Sequence, residues 1–347
     1  MPSSIETEAV KYKAYLKNTL KDGKLTQAEA NSIVADAKKP GFTEVKALYL
    51  AGFVEANADK FDPAVRRTLE SFLTGANIQN TAKIESDIAP TTPSATGEPT
   101  LAKGDGKGIT YTKASGSLTV GGFGSDDAVQ GGLGDCYFIS SMMAVANAHP
   151  EILQKAIKDN GNGTYTVTFW QRDNADSAPR PVKVTVDDKV PESKGSPQYV
   201  GSRSGKELWP MIMEKAYAQW HGGYEDIQGG MGANALSALT GARPGFFPVN
   251  EEMKVDDIWS QLKSACGNGG CVVADSTGFG HEKVAGVVGD HTYTVLGVEE
   301  KNGQRLVKLR NPWGEKEPGH DGTDDGIFTL PVEQFVKSYA MVEYVKP

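Results

Sequence analysis

The spacing of apolar residues along the chain changes twice, and the changes divide it into three regions. Through residues 1–79 apolar positions recur every three or four residues, the period of an amphipathic helix. Residues 80–112 hold few apolar side chains and many Thr, Ser, Pro, Gly and Lys, a composition that predicts a linker. From residue 113 onward helical spacing and strict alternation both occur. The pattern therefore predicts a helical N-terminal domain, a linker and a mixed core.

Four helices are predicted in the first region, which together form a small helical bundle. The first covers about residues 5–20, and the second begins at Thr26, with Glu29 three residues later completing a capping box. Two more helices are expected at residues 43–55 and 62–73. A bundle of this size is a separate unit that can serve as an inhibitory segment or as a docking module.

The core region predicts two lobes of different composition. Residues 113–245 combine a helix after Cys136, two strands and a long helix from Glu207. Residues 246–347 start with one helix and continue mostly as strands, expected at residues 270–274, 292–298, 306–310 and 326–330. A Gly-Ala-Arg-Pro-Gly stretch near residue 245 marks the boundary. The core is therefore α+β, a helical lobe beside a sheet lobe with a cleft between them.

One stretch before a predicted helix suits nucleophilic chemistry. It reads Q-G-G-L-G-D-C-Y-F and puts Cys136 at a helix start, where the dipole and free N–H groups favour a thiolate. Gln130 lies six residues upstream, where its amide can donate to the oxygen of an attacked carbonyl. The alternative is a buried structural cysteine, since free Cys is among the most buried residue types.

Two further residues complete a possible thiol hydrolase. His291 opens an alternating run and Asn311 closes another, with the hairpin signal Asn302-Gly303 between them. A regular hairpin leaves His291 about three residues, or ~10 Å, from the level of Asn311, a gap that a bulge or longer loop would close. The order Cys, His, Asn is that of enzymes in which His activates sulfur and Asn orients the imidazole. His281 is the competing base, although no strand pattern follows it.

These stretches resemble a known family. Q-G-G-L-G-D-C-Y-F, G-D-H-T-Y-T-V-L-G, V-K-L-R-N-P-W-G-E and the helical E-L-W-P-M-I-M-E-K-A-Y-A are similar to four ordered blocks of the calpain cysteine proteases. The resemblance covers about residues 113–345 and implies a two-lobed, papain-like protease core, with a Cys lobe at residues 113–245 and a His/Asn lobe at residues 246–347.

The resemblance also implies roles for individual residues. It makes Cys136 the nucleophile, His291 the base and then acid, and Asn311 the group that fixes the imidazole tautomer, with Gln130 as oxyanion donor. Gly230 corresponds to a glycine whose backbone pairs with extended substrate. In the same way the resemblance implies that Trp313 shields the bond between His and Asn from water, and a plain core aromatic is the alternative. Tyr137 departs from the family, which usually has Trp after the nucleophile.

Calcium is the cofactor that the resemblance implies. In the Cys lobe the family holds one ion through two carbonyls and two carboxylates, which correspond here to Val120, Gly122, Asp127 and Glu207. The alternative is that both acids only cap local structure. A second family site in the His lobe would use Glu317 and Asp325. At Ile327 this chain lacks the Glu that the family supplies, which weakens the case for a second ion.

Composition and charge narrow the function further. The formal net charge of -8 disfavours nucleic acid as a partner, because nucleic-acid-binding surfaces are basic. No apolar run approaches the ~20 residues of a membrane span. The N-terminus lacks a secretory signal pattern, which favours the cytoplasm or export by a signal-independent route. Three cysteines make a disulfide framework unexpected.

The sequence therefore predicts a cysteine endopeptidase that cuts polypeptide substrates at limited sites and is stimulated by calcium. Two alternatives stay open. The same Cys, His and Asn can pass an acyl group to an amine in an acyltransferase, or the chain can be a non-catalytic binding module that has kept the fold.

Overall fold

Buried apolar side chains gather in three separate cores, one in the N-terminal region and one in each lobe of the remainder. The computed structural model describes residues 12, 15–16, 18–21, 23–39, 50, 61–69, 97–105, 108–172, 178–251, 253–277, 284–319 and 323–347. Both helices and strands occur within these ranges, in agreement with the predicted mixed class.

The N-terminal region contains helix α1 (Gln27–Ala37) and a helical stretch at residues 63–69. The capping box predicted at the start of α1 is confirmed. The Glu29 carboxylate accepts the Thr26 backbone N–H at 2.8 Å, and the Thr26 hydroxyl accepts the Glu29 N–H at 3.3 Å. The other parts of the predicted bundle lie mostly outside the described residues, and the bundle stays a prediction.

Residues 97–105 of the predicted linker bind to the surface of the first lobe. The Tyr224 N–H donates to the Thr100 carbonyl at 2.8 Å, and the Ala102 N–H donates to the Tyr199 hydroxyl at 2.9 Å. Within the lobe, the buried Lys215 ammonium forms an ion pair with Glu98. The end of the predicted linker is therefore attached to the lobe, whereas residues 80–96 lie outside the described ranges.

The first lobe is built from four helices and three small antiparallel sheets in the described residues. The helices are α2 (Cys136–Ala148), α3 (Pro150–Ala156), α4 (Trp209–His221) and α5 (Gly232–Thr240). The strands are β1 (Ile109–Lys113), β2 (Ala128–Val129), β3 (Ile157–Asp159), β4 (Thr164–Gln171), β5 (Arg180–Asp187), β6 (Lys189–Ser193), β7 (Ser196–Pro197) and β8 (Gly201–Ser202). They pair in the orders β1-β6-β7, β2-β8 and β3-β4-β5.

Helices α2 and α4 pack through aromatic rings. The Phe138 and Tyr217 rings stack with centroids 3.9 Å apart, and the Phe169 ring of β4 contacts Tyr217 edge-on. Helix α4 begins two residues later than predicted, with Pro210 in its first turn, and ends at Gly222 in a left-handed conformation. This packing holds the start of α2 at one edge of the lobe.

The second lobe is a six-stranded antiparallel sheet in the order β13-β12-β11-β10-β14-β9. Its strands are β9 (Pro244–Pro248), β10 (Cys271–Ser276), β11 (Thr292–Lys301), β12 (Gln304–Arg310), β13 (Ile327–Pro331) and β14 (Tyr339–Val345). Helices α6 (Val255–Cys266) and α7 (Val332–Ser338) cover one face. The predicted lobe boundary at residue 245 falls inside β9, which pairs with the C-terminal strand.

The other face of this sheet packs on the first lobe. Cys271, Val273 and Val345 point into the first-lobe core, so the two lobes share an apolar contact. All three cysteines of the chain are free thiols. No helix within the described ranges has the length and apolar character that a membrane span requires.

The hairpin of β11 and β12 matches the prediction and brings two candidate residues together. Asn302 and Gly303 both have positive φ, 53° and 75°, as a two-residue type I′ turn requires. A bulge between Val295 and Gly297 shifts the register by one residue. A bulge is one of the two irregularities that the sequence analysis allowed, the other being a longer loop. This bulge moves His291 one residue closer to the level of Asn311.

Candidate active site

The turn before α2 passes close to a neighbouring segment. A Cβ on Gly131 would lie 2.0 Å from the Tyr199 carbonyl oxygen, so no larger residue fits there. The next residue, Gly132, donates its N–H to the Gln198 carbonyl at 2.8 Å. This turn delivers Cys136 as the first residue of α2, where unpaired N–H groups and the helix dipole favour negative charge.

His291 and Asn311 meet in a buried pair. The His291 Nε2 and the Asn311 Oδ1 lie 2.9 Å apart, and 6% of His291 and 0% of Asn311 are exposed. Because an amide oxygen only accepts, Nε2 carries the proton and Nδ1 is left with a lone pair. The pair is thus arranged to take a proton at Nδ1. The competing His281 lies outside the described residues.

Helix α2 packs directly on β11 just after His291. The Ser140 hydroxyl donates to the Thr292 carbonyl at 2.8 Å, and the Thr294 hydroxyl donates to the Ser140 carbonyl at 2.9 Å. The backbone and side chain of Thr292 also lie close enough to the Cys136 thiol to lower its pKa by hydrogen bonding, against the rise that burial causes. The nucleophile candidate therefore lies beside the residue that follows His291, across the contact between the lobes.

The backbone of His291 is held by hydrogen bonds to Ser276, the last residue of β10. The Ser276 hydroxyl lies 3.0 Å from the His291 N–H and donates to the Val288 carbonyl at 2.7 Å. The Ser276 N–H donates to the His291 carbonyl at 2.9 Å. The imidazole thus projects from a backbone segment with little freedom to shift.

Trp313 lies against the imidazole of His291. The ring centroids of His291 and Trp313 are 4.7 Å apart with the planes tilted by 44°. The Trp313 backbone N–H donates to the Asn311 Oδ1 at 3.1 Å, and the Lys316 ammonium lies 4.8 Å from the Trp313 ring centroid. The indole covers one side of the pair between His and Asn.

Burial shifts the pKa values of Cys136 and His291 in the directions that favour the neutral form of each group. It raises the pKa of the Cys136 thiol to about 11, against the hydrogen bonds from Thr292. It lowers the pKa of His291 to about 4, against the bond to Asn311. Each shift disfavours a lone charge in the closed cleft. Moving the proton from sulfur to nitrogen would create one negative and one positive charge, and their attraction would offset part of that cost.

A partly buried acid lies near the thiol, and no feature of the sequence singled it out. Asp275 faces Thr292 across β10 and β11 and accepts the Thr292 hydroxyl at 2.6 Å. Burial raises the pKa of Asp275 to about 6, against that hydrogen bond. Its charge in turn raises the pKa of Cys136. Asp275 therefore opposes thiolate formation whenever it is ionised.

Replacing Asp275 by Asn should make Cys136 more reactive at alkaline pH. Without the nearby charge the thiol pKa falls, and we expect alkylation by iodoacetamide at pH 8 to be about 3- to 10-fold faster. At pH 5 Asp275 is already mostly protonated, so the two rates should agree within about twofold. Mass spectrometry of Cys136 across this pH range measures both. The exposed Asp256→Asn is the matched control, and equal profiles for all three proteins would contradict the effect.

Gln130 is held between the two lobes. Its backbone N–H donates to the Pro312 carbonyl at 2.9 Å, and its Nε2 donates to the Leu133 carbonyl at 2.7 Å. Its second Nε2 hydrogen faces the Asp135 Oδ1 at 3.5 Å, a long contact that a substrate oxygen can replace. Gln130 thus joins the turn before Cys136 to the loop that follows Asn311.

A pair of buried carboxyl groups underlies this turn. Asp135 and Glu214 are 0% and 2% exposed, and burial together with the charge of Asp135 raises the pKa of Glu214, so two buried acids so close together favour a proton on one of them. Burial raises the pKa of both, that of Asp135 to about 7. The Val200 N–H donates to Glu214 at 2.9 Å, and the Gln130 Nε2 lies 3.5 Å from Asp135. The pair therefore contacts Val200 through Glu214, and Gln130 in the turn before Cys136 through Asp135.

Gly230, the predicted substrate-contacting residue, lies next to the nucleophile. A Cβ there would be 2.5 Å from the Tyr137 ring, so the backbone of Gly230 packs directly on that ring. The adjacent Gly229 donates its N–H to the Gly134 carbonyl at 2.8 Å. The segment of Gly230 and the turn before Cys136 thus form one side of the cleft.

The four predicted calcium ligands fall in one neighbourhood. The Val120 N–H donates to Glu207 at 2.8 Å, and Asp127 accepts the Gly124 N–H at 2.6 Å and the Trp209 indole at 3.0 Å. The donor set, completed by the Gly122 carbonyl, is all oxygen with two carboxylates, which fits calcium. Within the described residues, no three His, Cys, Asp or Glu side chains form a metal-binding group, so a site here depends on the backbone carbonyls.

The second predicted calcium set is in a less suitable place. The Asp325 carboxylate accepts the Ile327 N–H at 2.9 Å, and its carbonyl accepts the Arg203 guanidinium at 2.7 Å. Glu317 follows Lys316, whose carbonyl accepts the Asn311 amide at 3.1 Å. A cation beside Asp325 disfavours a second cation there, in line with the substitution already noted at Ile327.

Comparison with known proteins agrees with this geometry. A family model described as calpain family cysteine protease matches residues 109–325. Calpain-type cysteine protease ADL1 of Oryza sativa subsp. japonica is 37% identical over 209 residues, which is 57% of this chain and 9% of that protein. Human calpain-8 is 28% identical over 297 residues, 73% of this chain and 41% of that protein. Human calpain-2 catalytic subunit is 30% identical over 263 residues, 65% of this chain and 36% of that protein.

The chain thus spans between 9% and 41% of the length of these relatives. Among solved structures, digestive procathepsin L 3 of Tenebrio molitor larval midgut aligns with 91% of the chain, but with a TM-score of 0.24 and 12% identity. Those values are too low to define a common fold. The family match alone covers more than half of the sequence. The chain therefore belongs to the calpain family of cysteine proteases.

Proposed function

We propose that the chain is a cysteine endopeptidase in which Cys136, His291 and Asn311 cut polypeptide substrates at limited sites. The observation that carries the proposal is the buried bond of 2.9 Å between His291 Nε2 and Asn311 Oδ1, which leaves Nδ1 as the proton acceptor. The start of α2 at Cys136 and the contact of Cys136 with Thr292 support the same assignment.

The reaction follows from these positions. His291 Nδ1 takes the proton of the Cys136 thiol while sulfur attacks the substrate carbonyl carbon, so the C–S bond forms as the carbonyl oxygen becomes an oxyanion. The Cys136 N–H donates to that oxygen, and so does the Gln130 Nε2 hydrogen that exchanges its long contact with Asp135 for the substrate oxygen. His291 then returns the proton to the leaving amine, and water attacks the thioester in a second, equivalent cycle.

The surroundings contribute orientation and exclusion of water. Asn311 holds the imidazole in the tautomer that the reaction needs, and Trp313 covers their hydrogen bond. The backbone of Gly230 offers an approach without a Cβ for an extended substrate. We keep the predicted division into two lobes near residue 245, but we count β1 and residues 97–105 with the first lobe and the whole of β9 (Pro244–Pro248) with the second.

Calcium stimulation forms part of the proposal. Val120, Gly122, Asp127 and Glu207 would hold the ion, which would supply positive charge that joins the loop at residue 120 to the start of α4. Calcium should raise casein digestion several-fold over the rate in chelator, and should raise the melting temperature, because an ion that binds only the folded state stabilises it.

The Glu207→Gln variant distinguishes the effect of calcium bound at this site from other effects of calcium. It removes one negative ligand while keeping the acceptor for the Val120 N–H, so both responses to calcium should weaken by about tenfold in apparent affinity. The matched variant is Glu333→Gln, which changes an acid in the first turn of α7. Full wild-type activity in chelator, together with a melting temperature that calcium does not move, would contradict calcium stimulation.

A further inference from the structure

Arg203 lies in an exposed turn between β8 and α4 and is anchored to the first lobe. Its backbone N–H donates to the Asp127 carbonyl at 2.7 Å, and its Nε donates to the Asp126 carbonyl at 3.2 Å. The backbone of Arg203 and the Nε edge of its guanidinium are therefore both hydrogen-bonded to the first lobe.

The far end of the same guanidinium binds the second lobe. Its Nη2 donates to the Asp325 carbonyl at 2.7 Å and to the Gly314 carbonyl at 3.2 Å. These two bonds use both hydrogens of Nη2. A single side chain thus spans the cleft with three charge-assisted hydrogen bonds, of which two end on the second lobe.

The two carbonyls belong to the loops that cradle Asn311. The Asn311 N–H donates to the Gly326 carbonyl at 2.8 Å, one residue beyond Asp325, and the Gly314 N–H donates to the Asn311 carbonyl at 3.0 Å. Asn311 in turn holds His291. Arg203 therefore binds both of the loops that contact Asn311, the residue that orients His291.

A second arginine makes the opposite connection. Arg310 precedes Asn311 in the second lobe, and its Nη2 donates to the Asp126 carbonyl at 3.1 Å and to the Ala128 carbonyl at 3.0 Å. Arg310 is 0% exposed, whereas Arg203 is at the surface. The segment around Asp126 thus meets one arginine from each lobe, and Arg203 is the one that can be changed without opening a cavity.

We propose that Arg203 is a positioning residue that fastens the Asn311 loops to the first lobe and so keeps His291 aimed at Cys136. The inference rests on the proposed function, because it assigns Arg203 to the alignment of those three residues. The role needs a guanidinium, since Nε and Nη2 point in fixed, different directions. A lysine ammonium is one point donor on a flexible stem and cannot reach Asp126 and both far carbonyls together.

The test compares Arg203→Ala and Arg203→Lys with wild type and with Arg305→Ala. The control removes a half-buried arginine that pairs with the exposed Asp256. We expect Arg203→Ala to lower kcat for peptide hydrolysis by about 10- to 100-fold with KM within about twofold, because a small misplacement of a catalytic group is costly. Arg203→Lys should recover only part of this loss, added guanidinium ion should partly restore Arg203→Ala, and Arg305→Ala should match wild type.

Alkylation of Cys136 by iodoacetamide from pH 5 to 9 gives a readout that does not depend on turnover. We expect Arg203→Ala to slow alkylation near pH 7, because a misaligned His291 takes the thiol proton less readily. If wild type hydrolyses no peptide, the proposed function fails, and this profile still tests the positioning role. An unchanged kcat and profile in Arg203→Ala would overturn the inference. So would a loss of activity that tracks a lower melting temperature with an unchanged alkylation profile.

Discussion

Replacing Cys136 by Ala should lower kcat for peptide hydrolysis by at least about 10⁴-fold, the scale on which loss of a covalent nucleophile acts in other proteases. The reason is that no other group near the cleft can form the thioester. Initial rates on casein or a fluorogenic peptide measure the loss, and an unchanged melting temperature shows that the variant is folded.

Cys266→Ala is the matched control for that change. Cys266 is the last residue of α6, and burial raises the pKa of its thiol to about 12, so it offers little thiolate. Its removal should leave kcat within about twofold of wild type. If Cys136→Ala kept a tenth or more of the wild-type rate, Cys136 would be a structural residue and the assignment of the nucleophile would be wrong.

Replacing His291 by Gln should lower kcat by about 10³-fold or more, the largest expected effect after loss of the nucleophile. Glutamine has an amide N–H that can still bind Asn311, but it cannot take up a proton at neutral pH. The hydrogen bond is thus approximately kept while the base is removed. Rates measured with the same peptide give the loss.

His149→Gln provides the comparison for His291→Gln. His149 lies at the start of α3, where its ring contacts the Gly269 carbonyl at 2.8 Å and Glu151 at 3.0 Å. The same chemical change there should alter kcat by no more than about twofold. Equal losses in the two variants would show that the effect is general destabilisation and not removal of a base.

Local features of the sequence predicted several parts of this site. The Asn302-Gly303 turn fixed a hairpin, the alternation after His291 predicted a strand, and glycines before Cys136 predicted a tight approach to a helix. Each signal depends on neighbouring residues only, because turn geometry and helix starts are set by local backbone preferences. The spacing of His291 and Asn311 left a bulge or a longer loop as alternatives, and the structure has a bulge between Val295 and Gly297.

Features that depend on distant segments were not predicted. The C-terminal strand β14 lies between β10 and β9, and β9 itself was read as a boundary because of its prolines and glycine. An edge strand tolerates proline, and pairing partners almost a hundred residues apart leave no local pattern.

The same limit applies to the polar groups around the site. Asp275 lies within β10, Glu214 lies within α4 and Arg203 occupies an exposed turn. None has a distinctive neighbour in the sequence. Their significance arises only when Thr292, Asp135 or the Asn311 loops are brought against them by the fold.

The pH dependence of Cys136 alkylation in wild type and His291→Gln tests the central claim most directly. If His291 accepts the thiol proton, wild type at pH 7 should react at least about tenfold faster than His291→Gln, and the two rates should converge as the pH approaches the thiol pKa. Burial raises that pKa to about 11. Superimposable profiles from pH 5 to 10 would mean that the imidazole does not act on the sulfur, and would contradict the account.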